Sequence, residues 1–427
     1  MRDRGWNDKP ATDVVRKHRP DYLIALYTGL LMLIGLIVIY AIGPQRANVL
    51  NNAIGSNFSD IYFFTKQAIS LVLAVIAFAV ISIIPYGFIL KHAAKLFIIG
   101  LVACAVLLLA NMAGLPIADA TNGASRWFNL GVLGSFQPAE IVKFGLLLYL
   151  AVFLGARYKE GSVNDLQKTL IPVAVMTGLS LLFIVVIQRD LGTGIALSAI
   201  IVTMLFVAGM NRKVGAGLAV AVLVIGGIFI FTAPHRVERI MTYLQGDNTS
   251  TSDADGYHIE HAKIAIGSGG LRGVGIGNSV QATGYLPEVI NDSVFAVLGE
   301  TFGFIGLIAL MAVYVALLLR LLKVLDHLVD IRLKLLVAGV FGWFGAHVIL
   351  NIAAMLGIVP LTGITLPLIS FGGTSMIFIT AALGLVFQLS RYTVHSSRLQ
   401  TSGDSTHENS RSGRRVGRTR YASRRSS

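Results

Sequence analysis

Apolar positions along this chain gather into long runs, each near the length of about 20 residues that an α-helix needs to cross a bilayer core. Ten such runs can be read: Tyr22–Ile42, Ile61–Ile84, Ala94–Met112, Ala139–Leu154, Leu170–Ile187, Leu191–Ala208, Val214–Phe231, Val294–Leu319, Leu335–Leu356 and Leu366–Leu389. They predict an all-α polytopic membrane protein. Its ten transmembrane helices form one continuous domain over residues 22–392, preceded by a short segment, 1–21, and followed by a tail, 393–427. The breaks near Pro85 and Tyr86 and at Arg189–Asp190 are short. Two polar loops are long, Gly114–Gln137 and Pro234–Asn291. The second lies between helices 7 and 8 within 234–293; at about 60 residues it is too long for a mere connector.

Basic residues fix the expected orientation. Arg2, Arg4, Lys9, Arg16, Lys17 and Arg19 precede the first run. The same side then receives Lys91, Arg157, Lys159, Arg212, Lys213, Arg320, Lys323, Arg332, Lys334 and the arginines of the tail. Both termini are therefore expected in the cytoplasm and both long loops outside. The opening residues, MRDRGWNDKP, are polar and the first run is of full spanning length, which does not suit a cleavable signal peptide.

Composition agrees with this reading. Of 427 residues 55% are apolar and 13% charged, against about 25% charged in a soluble domain, and the mean hydropathy is +0.72. The single cysteine, Cys104, falls inside an apolar run, so no disulfide framework is expected. Most of the net charge of +13 lies in the termini and inner loops. The tail, RSGRRVGRTRYASRRSS, reads as disordered and attracted to anionic membrane lipid; no nucleic-acid partner is expected.

Polar groups that could carry chemistry cluster on the outer side. In YLPEVINDSVFAVLGE, Asp292 stands between a polar stretch and the eighth run, where water meets lipid. One reading makes it a helix cap, since it lies just before Val294; another makes it a reactive carboxylate. In NGASRWFNLGVLGSFQPAEIVK, Arg126 and Trp127 lie in the loop, Pro138 suits the first turn of a helix, and Glu140 and Lys143 share a face at i, i+3. That pair either locks helices together or touches substrate. In IQRDLGTG, Asp190 suits the cap of the sixth helix, and Arg189 is a guanidinium that can grip a diphosphate with two parallel hydrogen bonds. The long loop holds HRVERI and the glycine-rich IAIGSGGLRGVGIGNSVQ, which lacks a nucleotide-loop pattern; its glycines suit close backbone packing. His258 and His261 are spaced H-x-x-H without a third ligand, which predicts exposure to solvent rather than a metal site. Two prolines and several glycines interrupt NIAAMLGIVPLTGITLPLISFGGTS, which predicts a cavity-lining or re-entrant backbone covered by protein.

Together GASRW…QPAEIVK, QRDLGT, GSGG…GVGIGNSVQ, LPEVINDSVFAVLGE and PLTGITLPLISFGGTS resemble the SEDS family (shape, elongation, division and sporulation), in family order across nearly the whole chain. GIGNSVQ, the Gly299–Glu300 pair and GITLPLIS resemble the FtsW type more than the RodA type. The chain departs from the family pattern in four places. Ile290-Asn291-Asp292-Ser293 replaces His-Thr-Asp-Phe, and Gln281-Ala282 replaces Gln-Lys. QRDLGT carries Arg189 in place of a proline, and QPAE carries Ala139 in place of a serine.

The resemblance implies a peptidoglycan glycosyltransferase of cell division that polymerises lipid II into glycan strands at the septum, in the bacterial cell membrane. Asp292 would be the general base. The substrate-binding candidates are Arg126, Lys143, Glu140, Arg189, Arg236, Arg239, Glu288, Gln281 and Ser370. Expected partners are lipid II, the undecaprenyl-diphosphate-linked glycan, a class B penicillin-binding protein and other division proteins. No protein metal site is expected; a divalent cation, Mg or Mn, at the diphosphate is the one cofactor entertained. Rival readings are a lipid II flippase, a RodA-type elongation polymerase, and a scaffold that activates a partner synthase.

Overall fold

The computed structural model describes residues 18–394 except 122, 123, 130, 132, 133, 212, 216 and 218–253. Arg236, Arg239, the polar run before residue 254 and nearly all of the seventh run lie outside the described residues, as does the tail from residue 395.

Among the described residues eight helices are long and apolar enough to cross a membrane, and Leu191–Val207 is a shorter apolar helix. In chain order the elements are α1 (Tyr22–Ile54), α2 (Tyr62–Ile83), α3 (Tyr86–Lys91) and α4 (Ala93–Met112), then strands β1 (Ala118–Thr121), β2 (Ala124–Asn129) and β3 (Ser135–Phe136). There follow α5 (Pro138–Lys159), α6 (Leu166–Ile187, with π-type turns at both ends), α7 (Leu191–Val207), α8 (Ala254–Ser268), α9 (Val294–His327), α10 (Ile331–Met355) and α11 (Gly373–Leu389). The protein is a multi-pass membrane helix bundle. The all-α expectation missed the small antiparallel sheet β1-β2-β3, which folds over the 118–136 loop. Its strands are too short and too polar to give an apolar alternation.

The helices sort into centre and rim. The most apolar windows of α5, α10 and α11 are each 72% buried, whereas those of α2 and α6 are 17% and 22% buried; the rim helices therefore turn their apolar side chains to lipid. Small residues let the inner pairs approach. A Cβ at Gly145 of α5 would sit 2.7 Å from the backbone of Phe97 in α4, and one at Gly384 of α11 the same distance from the Phe78 carbonyl in α2.

Two helices outrun their apolar stretches. α1 continues past Ile42 through Pro44 to a left-handed cap at Gly55, because its polar end has protein to pack on: Gln45 Nε2 donates to the Gly277 carbonyl at 3.2 Å. α9 continues past Leu319 to His327 and is broken once, at Gly303, with φ 67° and ψ −169°. The glycine-rich loop enters this break. Val274 N donates to Glu300 O and Gly275 N to Thr301 O, while Phe304 N donates to Gly270 O. A Cβ on Gly273 (φ 80°) would stand 2.2 Å from Thr301 O. The glycines thus serve backbone-to-backbone packing, as their sequence suggested.

Candidate functional site

One end of the bundle collects the starts of α2, α5, α7, α9 and α11 and the ends of α1, α4, α6 and α10. Asp292 sits there, on a tight turn over residues 285–293. Glu288 takes the left-handed conformation (φ 49°), and its carbonyl accepts from Asn291 N at 2.9 Å and Ser293 N at 3.3 Å. Apolar Val289 and Ile290 are buried and anchor the turn.

Four neighbours hold that turn. From α1, Arg46 pairs with Glu288 at 3.4 Å; the other Glu288 oxygen accepts from the Asn291 side-chain amide. From α10, Asn351 Nδ2 donates to the Asp292 carbonyl at 2.7 Å. Phe371 N donates to the Ile290 carbonyl at 2.7 Å. From α8, His258 Nε2 lies 2.5 Å from Ser293 Oγ. The N-cap of α9 is Ser293, and no side chain closes it. Asp292 therefore lies one residue outside the cap, half-buried, and the cap reading does not describe it.

The segment between α10 and α11, residues 356–372, is non-helical, with residues 366–370 buried and Leu368 left-handed (φ 69°). Side chains of surrounding helices take up its backbone groups. Asn351 Nδ2 donates also to Ile364 O at 2.7 Å, Tyr314 OH to Pro367 O at 2.7 Å, and Gln67 Nε2 to Ser370 O at 3.3 Å. The Ser370 hydroxyl accepts from Leu366 N at 2.8 Å. Ser370 thus ties this segment to itself. The helix α11 begins at Gly373 rather than at Leu366, where the apolar run starts: Pro367 has no N–H to donate, and the Ile364 carbonyl is already engaged by Asn351 of α10.

Beside the turn, buried Glu300 of α9 accepts from Ser279 Oγ at 2.5 Å and from Val280 N at 2.9 Å. It clasps the 279–283 turn to α9, a role that its type and position in the sequence did not suggest. The Gln281 side chain is held by His261 Nδ1 at 2.7 Å. The two histidines are not solvent-facing, as their spacing alone had suggested: α8 folds back onto α9 and turns both imidazoles to the loops flanking Asp292.

The second cluster forms at the α6–α7 corner. Asp190 caps α7 as expected, accepting from Thr193 N at 2.9 Å and Thr193 Oγ1 at 2.8 Å, and also from Gln137 Nε2 at 3.1 Å. Arg126 of β2 reaches across to the same corner. Its Nε donates to Gln188 O at 3.1 Å and its Nη2 to Arg189 O at 2.8 Å. Arg189 is left-handed (φ 54°) with its side chain exposed. The corner packs on the broken segment, for a Cβ at Gly192 would be 2.7 Å from Thr362 O.

Glu140 and Lys143 form a 2.8 Å ion pair at 2% and 0% exposure. The ammonium also lies 4.9 Å from the Trp343 ring of α10. Trp343, His347 and Asn351 follow one another at i, i+4, i+8 and so share one stripe of α10, from the Lys143 contact to the Asp292 carbonyl. The pair is buried in the bundle at the foot of that stripe. Among the described residues no three His, Cys, Asp or Glu side chains converge in a way that could hold a metal ion.

A family model covering FtsW, RodA and SpoVE, described as cell cycle protein, matches residues 21–395. Stage V sporulation protein E of Bacillus subtilis is 30% identical over 385 residues, covering 88% of this chain and 99% of that protein. A probable peptidoglycan glycosyltransferase FtsW of Thiomicrospira cyclica is 33% identical over 334 residues, 77% of this chain and 82% of its own length. Among solved structures, a chain from a study of structural coordination of polymerization and crosslinking by a peptidoglycan synthase complex superposes with TM-score 0.67 at 26% identity, covering 88% of this chain and 99% of that one. Thermus thermophilus rod shape determining protein RodA superposes with TM-score 0.60 at 25% identity, covering 88% and 98%. With the helix order, the pinned Asp292 turn and the broken segment before α11 in place, this breadth of match means that the chain belongs to the FtsW/RodA/SpoVE family, the SEDS proteins.

Proposed function

We propose that this protein is a peptidoglycan glycosyltransferase of the FtsW type that joins lipid II units into glycan strands during division, with Asp292 as general base. The observation that carries the reading is the fixation of the Asp292 turn by α1, α8, α10 and the 356–372 segment. A base must be held within hydrogen-bond reach of the proton it takes, and such a turn costs little reorganisation in the transition state.

The Asp292 carboxylate takes the proton of the 4-hydroxyl of the incoming lipid II sugar. That oxygen bonds to the anomeric carbon of the lipid-linked glycan, and the bond from that carbon to the diphosphate breaks. Such a base contributes roughly 10²- to 10⁴-fold. The departing diphosphate gathers negative charge; the exposed guanidinium of Arg189 answers it, while Arg126 sets the corner that carries Arg189. Arg236 and Arg239 are further cation candidates. A divalent cation on the diphosphate would supply charge neutralisation there, its ligands being mainly phosphate oxygens and water.

The basic residues on alternate loops support cytoplasmic termini and an external Asp292, and a septal location goes with the FtsW-type reading. A reporter inserted after Gln281 should read as external; a cytoplasmic reading there would overturn the orientation. A class B penicillin-binding protein is the crosslinking partner in this proposal. The test is glycan formation by purified protein from lipid II alone. Wild type should make long chains, and Asp292→Ala and Asp292→Asn none, since neither side chain can take the proton. Polymer from Asp292→Asn would remove Asp292 from the chemistry. Movement of labelled lipid II between leaflets without polymer would establish the flippase instead.

A further inference from the structure

We propose that His258 is a positioning residue for Asp292, acting through the hydroxyl of Ser293; this rests on the reading of Asp292 as the base. Ser293 is fully buried and His258 is 8% exposed. The Ser293 hydroxyl has one hydrogen. It lies 2.7 Å from the Pro287 carbonyl, which can only accept, so the hydrogen points there. The 2.5 Å contact between Ser293 Oγ and His258 Nε2 must then be donated by the imidazole, and Nε2 carries its hydrogen.

The relay runs from His258 Nε2–H to Ser293 Oγ, and from Ser293 O–H to Pro287 O. It closes the 287–293 turn at its two ends, and Asp292 is the residue before its final link. The backbone contacts inside the turn, Asn291 N and Ser293 N onto Glu288 O, depend on that closure for their geometry. His261, one turn further along α8, does the same for the neighbouring turn through Gln281. α8 thus presents two imidazoles to the two turns beside the base. Ser293 is itself a departure from the family pattern, so this relay belongs to this chain's own residues.

The experiment uses the purified full-length protein and lipid II. His258→Leu and Ser293→Ala should each lower kcat roughly tenfold, with KM changed by no more than about twofold, because a displaced base slows the proton transfer more than it weakens binding. His258→Gln keeps an N–H that can reach Ser293 and should recover most of the loss. Equal losses in the Gln and Leu variants, or wild-type kcat in His258→Leu, overturn the proposal. A second measurement does not depend on activity. Nitrogen-15 spectra of histidine-labelled protein, with His258 assigned through His258→Gln, should show hydrogen on Nε2 and a shift of that signal in Ser293→Ala. A bare Nε2 overturns the relay. Polymer formation by Asp292→Ala, by contrast, overturns the general-base reading, and the tautomer then still decides whether the relay exists.

Discussion

The side-chain amide nitrogen of Asn351 donates at 2.7 Å to the backbone carbonyl of Asp292, and at the same distance to the carbonyl of Ile364. One atom of α10 therefore sets the candidate base against the broken segment. Asn351→Ala leaves two carbonyls without this donor, at about 1–3 kcal/mol for each that stays dry. Asn351→Asp is expected to be worse, because it turns a carboxylate oxygen toward two carbonyl oxygens. Thermal unfolding in detergent and glycan synthesis should both rank wild type above Ala above Asp. An Asp variant that matches wild type in both would show that the amide does not hold the turn.

Arg126 and Arg189 should separate cleanly. Arg126→Ala removes two hydrogen bonds from the α6–α7 corner and should lower the unfolding temperature along with turnover. Arg189 is left-handed, a conformation that suits glycine and strains other residues by about 1 kcal/mol or more. Arg189→Gly should thus keep or raise stability while removing the guanidinium. Turnover should fall in this variant at unchanged expression. Undiminished glycan synthesis by Arg189→Gly would take Arg189 out of diphosphate binding.

The Glu140–Lys143 pair is fully inside the bundle. Lys143→Met alone leaves a buried carboxylate with its partner gone, which costs about 3–5 kcal/mol. The double variant Glu140→Leu with Lys143→Met should regain folded yield, because no uncompensated charge remains. Folded yield is read by size-exclusion profile. A double variant that folds but makes no glycan would point to a role beyond locking α5 to α10.

Asp330 caps α10, accepting from Arg332 N at 2.9 Å and pairing with the Arg332 guanidinium at 2.8 Å. Burial pushes its carboxyl up, but the Arg332 hydrogen bonds and charge outweigh this and hold it below the ordinary range. A carboxyl depressed in the folded state adds stability above its unfolded value, and that stability is lost as pH falls through the folded one. Unfolding temperature should therefore drop on acidification more in wild type than in Asp330→Asn. Parallel pH profiles for the two proteins would exclude Asp330 as a contributor.

Membrane class and the helical character of the runs were legible in the residues because crossing a bilayer demands a run of apolar side chains, and run length is a local property. So were the Asp190 cap and the Glu140–Lys143 pair, which need only i, i+3 spacing, and the broken segment, which its prolines and glycines announce. Contacts between distant loops have no such local signature. Arg126 finds its acceptors at 188 and 189, Glu300 finds its donors at 279 and 280, and His258 meets Ser293 only once α8 has folded back on α9. Even the lengths of α1 and α9 were settled this way: hydropathy marks where a helix leaves the apolar core, but it ends where packing and capping stop satisfying its backbone. The sequence by itself therefore offered Asp292 as a candidate, either as a helix cap or as a reactive carboxylate. Tertiary structure alone decided that the aspartate sits outside the helix cap, on a turn held from four sides.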